Sequence, residues 1–207
     1  MFSFFKHKFK FFKSSQSSIS IEEQLANLSK IGITLKGNIE IIDILDFKIS
    51  DYEERPYIHL IMCMGRERDS VLDFISDVYP SNDVWCFDRE CIEDHGDYVQ
   101  VLKRIAIMVE PALSLTDIQD YVNIQEGKVW IAFKANSTNY RYSLSVQDDW
   151  LSPEIFLIFS ELLAERGSSR RFFFADTGNE ILVVLIERNQ FHQLNKLINI
   201  FTPSTQT

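Results

Sequence analysis

Residues 171–186 read RFFFAD, TGNE, ILVVLI, and the last six carry no side chain that water would solvate. A run this short, rich in β-branched residues and set off from its neighbour by a glycine-containing turn, forms the second arm of an antiparallel hairpin. With no polar face to turn outward, it has to be buried on both sides. A second hairpin precedes it. Val129, Ile131, Phe133 and Ala135 alternate with their neighbours, then Tyr140, Tyr142, Leu144 and Val146 alternate with Arg141, Ser143 and Ser145, and NSTN (136–139) joins the arms. The polar side of that later arm suits an antiparallel sheet with one wet face.

Helical signals stand between these strands. Ser20 and Glu23 form a capping box ahead of Leu25, Leu28 and Ile31, with Gly32 as the stop. Tyr98, Val101, Leu102, Ile105 and Met108 recur at helical spacing until Pro111. Ser152 and Pro153 open a third helix, which buries Ile155, Phe156, Phe159, Leu162 and Leu163 and ends at Gly167. A last helix runs from about Asn189, with Phe191, Leu194, Leu197 and Phe201 inward, and residues 38–47 read as another short one. YIHLIMCM (57–64) reads as a central strand with His59 as a hydrogen-bonded interior histidine, and VWCF (84–87) as a further short strand. The expected fold is α+β: one domain over residues 20–207, a mainly antiparallel sheet with helices packed against it.

Residues 1–19 stand apart from that domain. MFSFFKHKFKFFK alternates phenylalanine with lysine before a serine-rich run, and no apolar stretch reaches the roughly 20 residues that span a bilayer. Residues 1–13 are either a frayed tail or a peripheral contact with an anionic membrane or another chain. Three cysteines at no zinc-like spacing suit a reducing cytoplasm.

The formal charge is −9, and the imbalance is sharper within the domain: four of the 21 basic residues lie in the first 13 positions, leaving 17 bases against 30 acids. A nucleic-acid partner is therefore disfavoured. Residues 85–99, WCFDRECIEDHGDYV, gather five carboxylates, two cysteines and a histidine, and residues 147–165 add five acids with no base. Neither a nucleophile elbow nor a glycine-rich phosphate loop is present. Three readings of the acids compete. Asp94 and Asp97 fall where a helix begins, which accounts for one or two of them locally. A metal-dependent hydrolase would use Asp88, Glu90, Glu93, Asp94, His95 and Asp97, although acids on consecutive turns of one junction mostly diverge. In the favoured reading no metal, cofactor or catalysis is involved. Trp85, Asp88, Glu90, Glu93, Asp94, Asp97, Asp148, Asp149 and Trp150 then form an acidic surface with aromatic centres that receives a basic protein.

The segments NDVWCFDRECIEDHGDYV, VQDDWLSPEIF and RGSSRRFFFAD resemble stretches of small bacterial proteins, several of which look like the immunity proteins of polymorphic toxin and contact-dependent growth inhibition systems. The resemblance spans roughly residues 20 to 201. It implies a cytoplasmic inhibitor that binds one cognate toxin domain, such as a nuclease, and it brings no catalytic residues with it.

Overall fold

The computed structural model describes residues 19–37, 39–68, 79–178 and 180–203. The basic aromatic segment 1–13 therefore lies outside the described residues. Helix α1 (Ile21–Lys30) begins where its capping signal sets it: the Ser20 hydroxyl accepts from the Glu23 N–H at 3.2 Å, and Gly32, at φ +88°, turns the chain out. Among the described residues 39–47 only a 3-10 turn forms, at Ile41–Ile44, followed by helix α2 (Ile49–Glu54).

The expected strand at 57–64 is instead helix α3 (Ile58–Gly65). A run of eight residues without periodicity fits a buried helix as well as a strand, and here long-range contacts decide. Buried Gln24 of α1 accepts from the Tyr57 N–H at 2.7 Å and donates to the Tyr52 carbonyl at 2.9 Å, fixing both α2 and the start of α3. At its other end Gly65 lies directly on the next strand. A Cβ there would sit 2.7 Å from the Val84 side chain and 2.8 Å from the Cys86 nitrogen. Half-buried His59 stacks on Phe47 at 4.4 Å between ring centroids, with Nδ1 3.0 Å from the Asp51 carbonyl.

Strand β1 (Val84–Asp88) leads through the acidic stretch into helix α4 (Asp97–Val109). Strand β2 (Leu115–Asn123) then pairs with the first arm of the central hairpin, formed by β3 (Lys128–Ala135) and β4 (Thr138–Leu144). No expectation placed β2, because its register shifts between Thr116 and Gln119 and the alternation breaks there. The hairpin turn is only Asn136 and Ser137, both at positive φ, so Thr138 and Asn139 belong to the strand rather than to a four-residue loop.

Helix α5 (Glu154–Glu165) ends at Gly167 with φ +75°, and β5 (Arg170–Asp176) and β6 (Glu180–Glu187) make the second hairpin. A 3-10 turn (Arg188–Gln190) opens into helix α6 (Phe191–Leu197), and β7 (Thr202–Pro203) adds two residues to the edge of β5.

Two antiparallel sheets result, ordered β1-β6-β5-β7 and β2-β3-β4. Side chains of β6 alternate between two cores: Ile181, Val183 and Leu185 join α4, α5 and the three-stranded sheet, whereas Leu182, Val184 and Ile186 join α1, α3 and α6. Phe156 of α5 meets Phe172 of β5 at 5.5 Å while Phe159 stacks on Phe133 of β3 at 5.1 Å, so α5 lies between the sheets. The whole is one α+β domain. Among the described residues no helix is long and apolar enough to cross a membrane.

Gly65→Ala tests the α3–β1 contact. Because the obstructing atoms include backbone, the added methyl must displace the helix, and the expected loss is ~1–3 kcal/mol in urea unfolding without change of fold. A variant as stable as the parent would mean that the approach is looser than described.

Candidate functional site: an acidic double loop

The two acidic segments are far apart in sequence and adjacent in space. Glu90 and Trp150 form an antiparallel bridge, the Leu151 N–H donates to the Arg89 carbonyl at 2.9 Å, and the Ile92 N–H donates to the Asp149 carbonyl at 2.9 Å. The Ser152 N–H donates to the buried Tyr98 hydroxyl at 3.0 Å, tying the same strap to α4. Backbone pairing of 89–92 with 149–151 thus brings the two acidic segments next to each other.

Asp88, Glu90, Glu93, Asp94 and Asp148 are exposed, while Asp97 and Asp149 are half-buried. Several are structurally engaged. Asp97 Oδ2 accepts from the Glu93 and Asp94 N–H groups, each at 2.8 Å, so its carboxylate closes the loop ahead of α4. Asp88 Oδ1 accepts from the Glu90 N–H at 3.0 Å. The backbone and ring of His95 hold the Asp94 carboxyl below its ordinary range. Among the described residues, Asp88, Glu90, Glu93, Asp148 and Asp149 have no basic side chain within ion-pair distance. The base within the stretch, Arg89, reaches away to Asp176 at 2.8 Å.

The tryptophans take positions other than bare surface anchors. Trp85 is 6% exposed and belongs to the core, tilted against Phe87 at 4.0 Å and edge-on to Phe156 at 6.3 Å. Half-buried Trp150 is roofed by the Arg89 guanidinium, 3.6 Å from its ring centroid. The aromatic side chains bordering the loop are instead Tyr121 and Trp130 on the outer face of the three-stranded sheet. Their rings stack at 5.9 Å, and His95 meets Tyr121 edge-on at 4.8 Å. Their sequence signal is slight, since Tyr121 lies in the strand whose alternation is broken.

Asp120 was equally hard to read. From β2 it accepts from the Gly96 N–H at 2.9 Å and the Val99 N–H at 3.1 Å, capping α4 from a neighbouring sheet.

Cys91, at the centre of the loop, reports the local field. Burial first, and then Asp88, Asp97 and Asp149, push its thiol up to about 12. Carboxylates of both segments therefore act on one point. Burial also raises Cys63, and raises Cys86 to about 12, so none of the three thiols is poised as a thiolate nucleophile. Among the described residues no three His, Cys, Asp or Glu side chains are grouped to hold a metal ion.

Two measurements check this geometry. Asp120→Ala removes the cap of α4 and is expected to cost ~0.5–2 kcal/mol, with faster amide exchange at Gly96 and Val99; unchanged exchange there would separate Asp120 from the loop. The second is alkaline stability. The folded protein keeps protons on Cys86 and Cys91 above the ordinary value of 9.0, so it binds more protons than the unfolded chain from there up to about 12. The contribution of these two thiols to stability is complete below pH 9 and is lost as pH rises through that window. Thermal melts that stay level from pH 8 to 11 would contradict the burial of both thiols.

No family model, curated protein or solved structure matches this chain.

Proposed function

We propose that this chain is a cytoplasmic immunity protein that neutralises a cognate toxin domain by receiving its basic surface on the acidic double loop. The observation that carries the reading is the strap between residues 88–97 and 147–152, which sets two like-charged segments side by side with few resident cations. Crowding carboxylates without counter-charges costs free energy in the isolated protein, and a positively charged partner recovers it. A nuclease domain fits best, because a cleft built for a phosphate chain carries the complementary charge. In this role the acids steer encounter and set register, while Tyr121, braced by Trp130 and His95, supplies aromatic contact beside them. The protein acts stoichiometrically, by occupying its partner, and uses neither metal nor cofactor.

The reading predicts a large secreted protein encoded beside this chain, whose C-terminal domain is the toxin to be tested. Co-expression is expected to rescue growth from that domain's toxicity. Glu90→Lys, Glu93→Lys and Asp148→Lys avoid the carboxylates that close the loop, and together they are expected to slow association at low salt by about tenfold or more, with the deficit shrinking as salt rises. Equal association rates for parent and triple variant, at every salt concentration, would remove the acidic loop from the interface.

A further inference from the structure

Between β1 and α4 lies a groove of about 200 Å³, walled by Tyr79, Trp85, Phe87 and Val101 and rimmed by Glu67, Asp88 and Asp97, with Cys91 and Gln100 completing it. Its three carboxylates come from separate places: just past α3, the last residue of β1 and the first residue of α4. No basic side chain is among the described residues lining it.

We propose that this groove is a receptor for a single basic side chain, lysine or arginine, projected by the partner protein. The proposal rests on reading this face as the acceptor of a basic domain, and it assigns the contact at which one side chain is inserted rather than laid on a surface. Size limits the occupant, since sites for drug-sized ligands have ~300–1,000 Å³ and this groove has room for one long side chain. Charge sets its sign. An anion would face three carboxylates, and a neutral apolar group would desolvate them with nothing in return. A cation on an alkyl stem satisfies both parts, its methylenes against the aromatic walls and its charge at the rim.

The fold makes the same contact within itself. Arg89 lies 3.6 Å from the Trp150 ring centroid, Arg104 3.8 Å from Tyr79 and Arg141 3.9 Å from Trp130. Buried Arg104 takes one face of Tyr79, donating to the Ser81 and Val84 carbonyls, so that part of the wall already has its cation. Among the described residues no cation lies over Trp85 or Phe87, the two rings of β1 that face the groove. The Cys91 thiol in the groove is raised first by burial and further by Asp88 and Asp97 of the rim.

The experiment titrates the full-length protein with N-acetyl-lysine methylamide, N-acetyl-arginine methylamide and the uncharged N-acetyl-norleucine methylamide. The readouts are amide resonances of Cys91, Gln100 and Val101 and the indole N–H of Trp85. Saturable shifts are expected for one or both cations, with dissociation constants on the order of millimolar, and none for norleucine. Glu67→Gln and Asp88→Asn are each expected to weaken binding about threefold or more, whereas Asp148→Asn, outside the groove, is not. Exposed Glu67 lies outside the β1–β6 pairing, so its variant keeps the test valid if Asp88→Asn proves unstable. Linear shifts without saturation, equal shifts with norleucine, or binding unchanged in Glu67→Gln would each overturn the proposal. Because no toxin domain is present, failure here leaves the charge-reversal result on the loop intact. Saturable binding here beside a null charge-reversal result would count against the toxin reading alone.

Discussion

Strand β6 separates two cores, and the rest of the molecule is arranged around that separation. Six consecutive side chains from Ile181 to Ile186 are buried, three toward each side. At ~1.5–3 kcal/mol for each buried aliphatic side chain, their gross contribution is on the order of 10 kcal/mol, comparable with the whole net stability of an ordinary domain. A strand so apolar cannot lie at an edge or face solvent, so β1 and β5 flank it and helices cover both faces of the sheet. The close seat of Gly65 on β1 and the position of α5 between the two sheets follow from filling those cores without voids.

The acidic face forms where this arrangement runs out. At the end of the β1–β6 ladder Asp88 stands directly opposite Glu180, a like-charge pair that sheets disfavour. Arg66 answers Glu180, with Nη2 2.8 and 3.0 Å from its two oxygens, and leaves Asp88 unmatched. The chain then turns through Arg89 and pairs with residues 149–151, bringing the Asp148–Asp149 turn alongside. Asp94 and Asp97 offset part of the repulsion by accepting from backbone N–H groups, which reward the ionised form. Glu90, Glu93 and Asp148 have no such role and point their charge at solvent. Charges spaced within a Debye length of ~8 Å at physiological salt act as one field rather than as separate groups.

Locally coded elements could be read from the sequence; elements decided by distant contacts could not. Ser20 with Glu23 and the Gly167 stop mark the helix ends they signal, and the 171–186 hairpin shows in its composition. Residues 58–65 carry no period, so distant contacts decide for a helix, among them Gln24, thirty-three residues from Tyr57, and the close seat of Gly65 on β1. The bulge after Thr116 hid β2, and with it both Tyr121 and the Asp120 cap. For the site, the two clusters were visible as composition, whereas their adjacency depends on a bridge between residues 90 and 150 that no local pattern encodes. Trp85 illustrates the limit: on a strand whose two faces are both buried, proximity to acids in sequence says nothing about exposure.

A division of labour follows among the aromatic residues near this face. Trp150 and Trp130 are each covered by an arginine of the chain itself, which reduces the apolar area presented to water and fixes the rings. Arg89 spans Trp150 and Asp176, so the base most central to the acidic stretch is spent on internal order and does not neutralise its neighbours. The net effect is a surface whose cations are turned to internal use while many of its anions face outward.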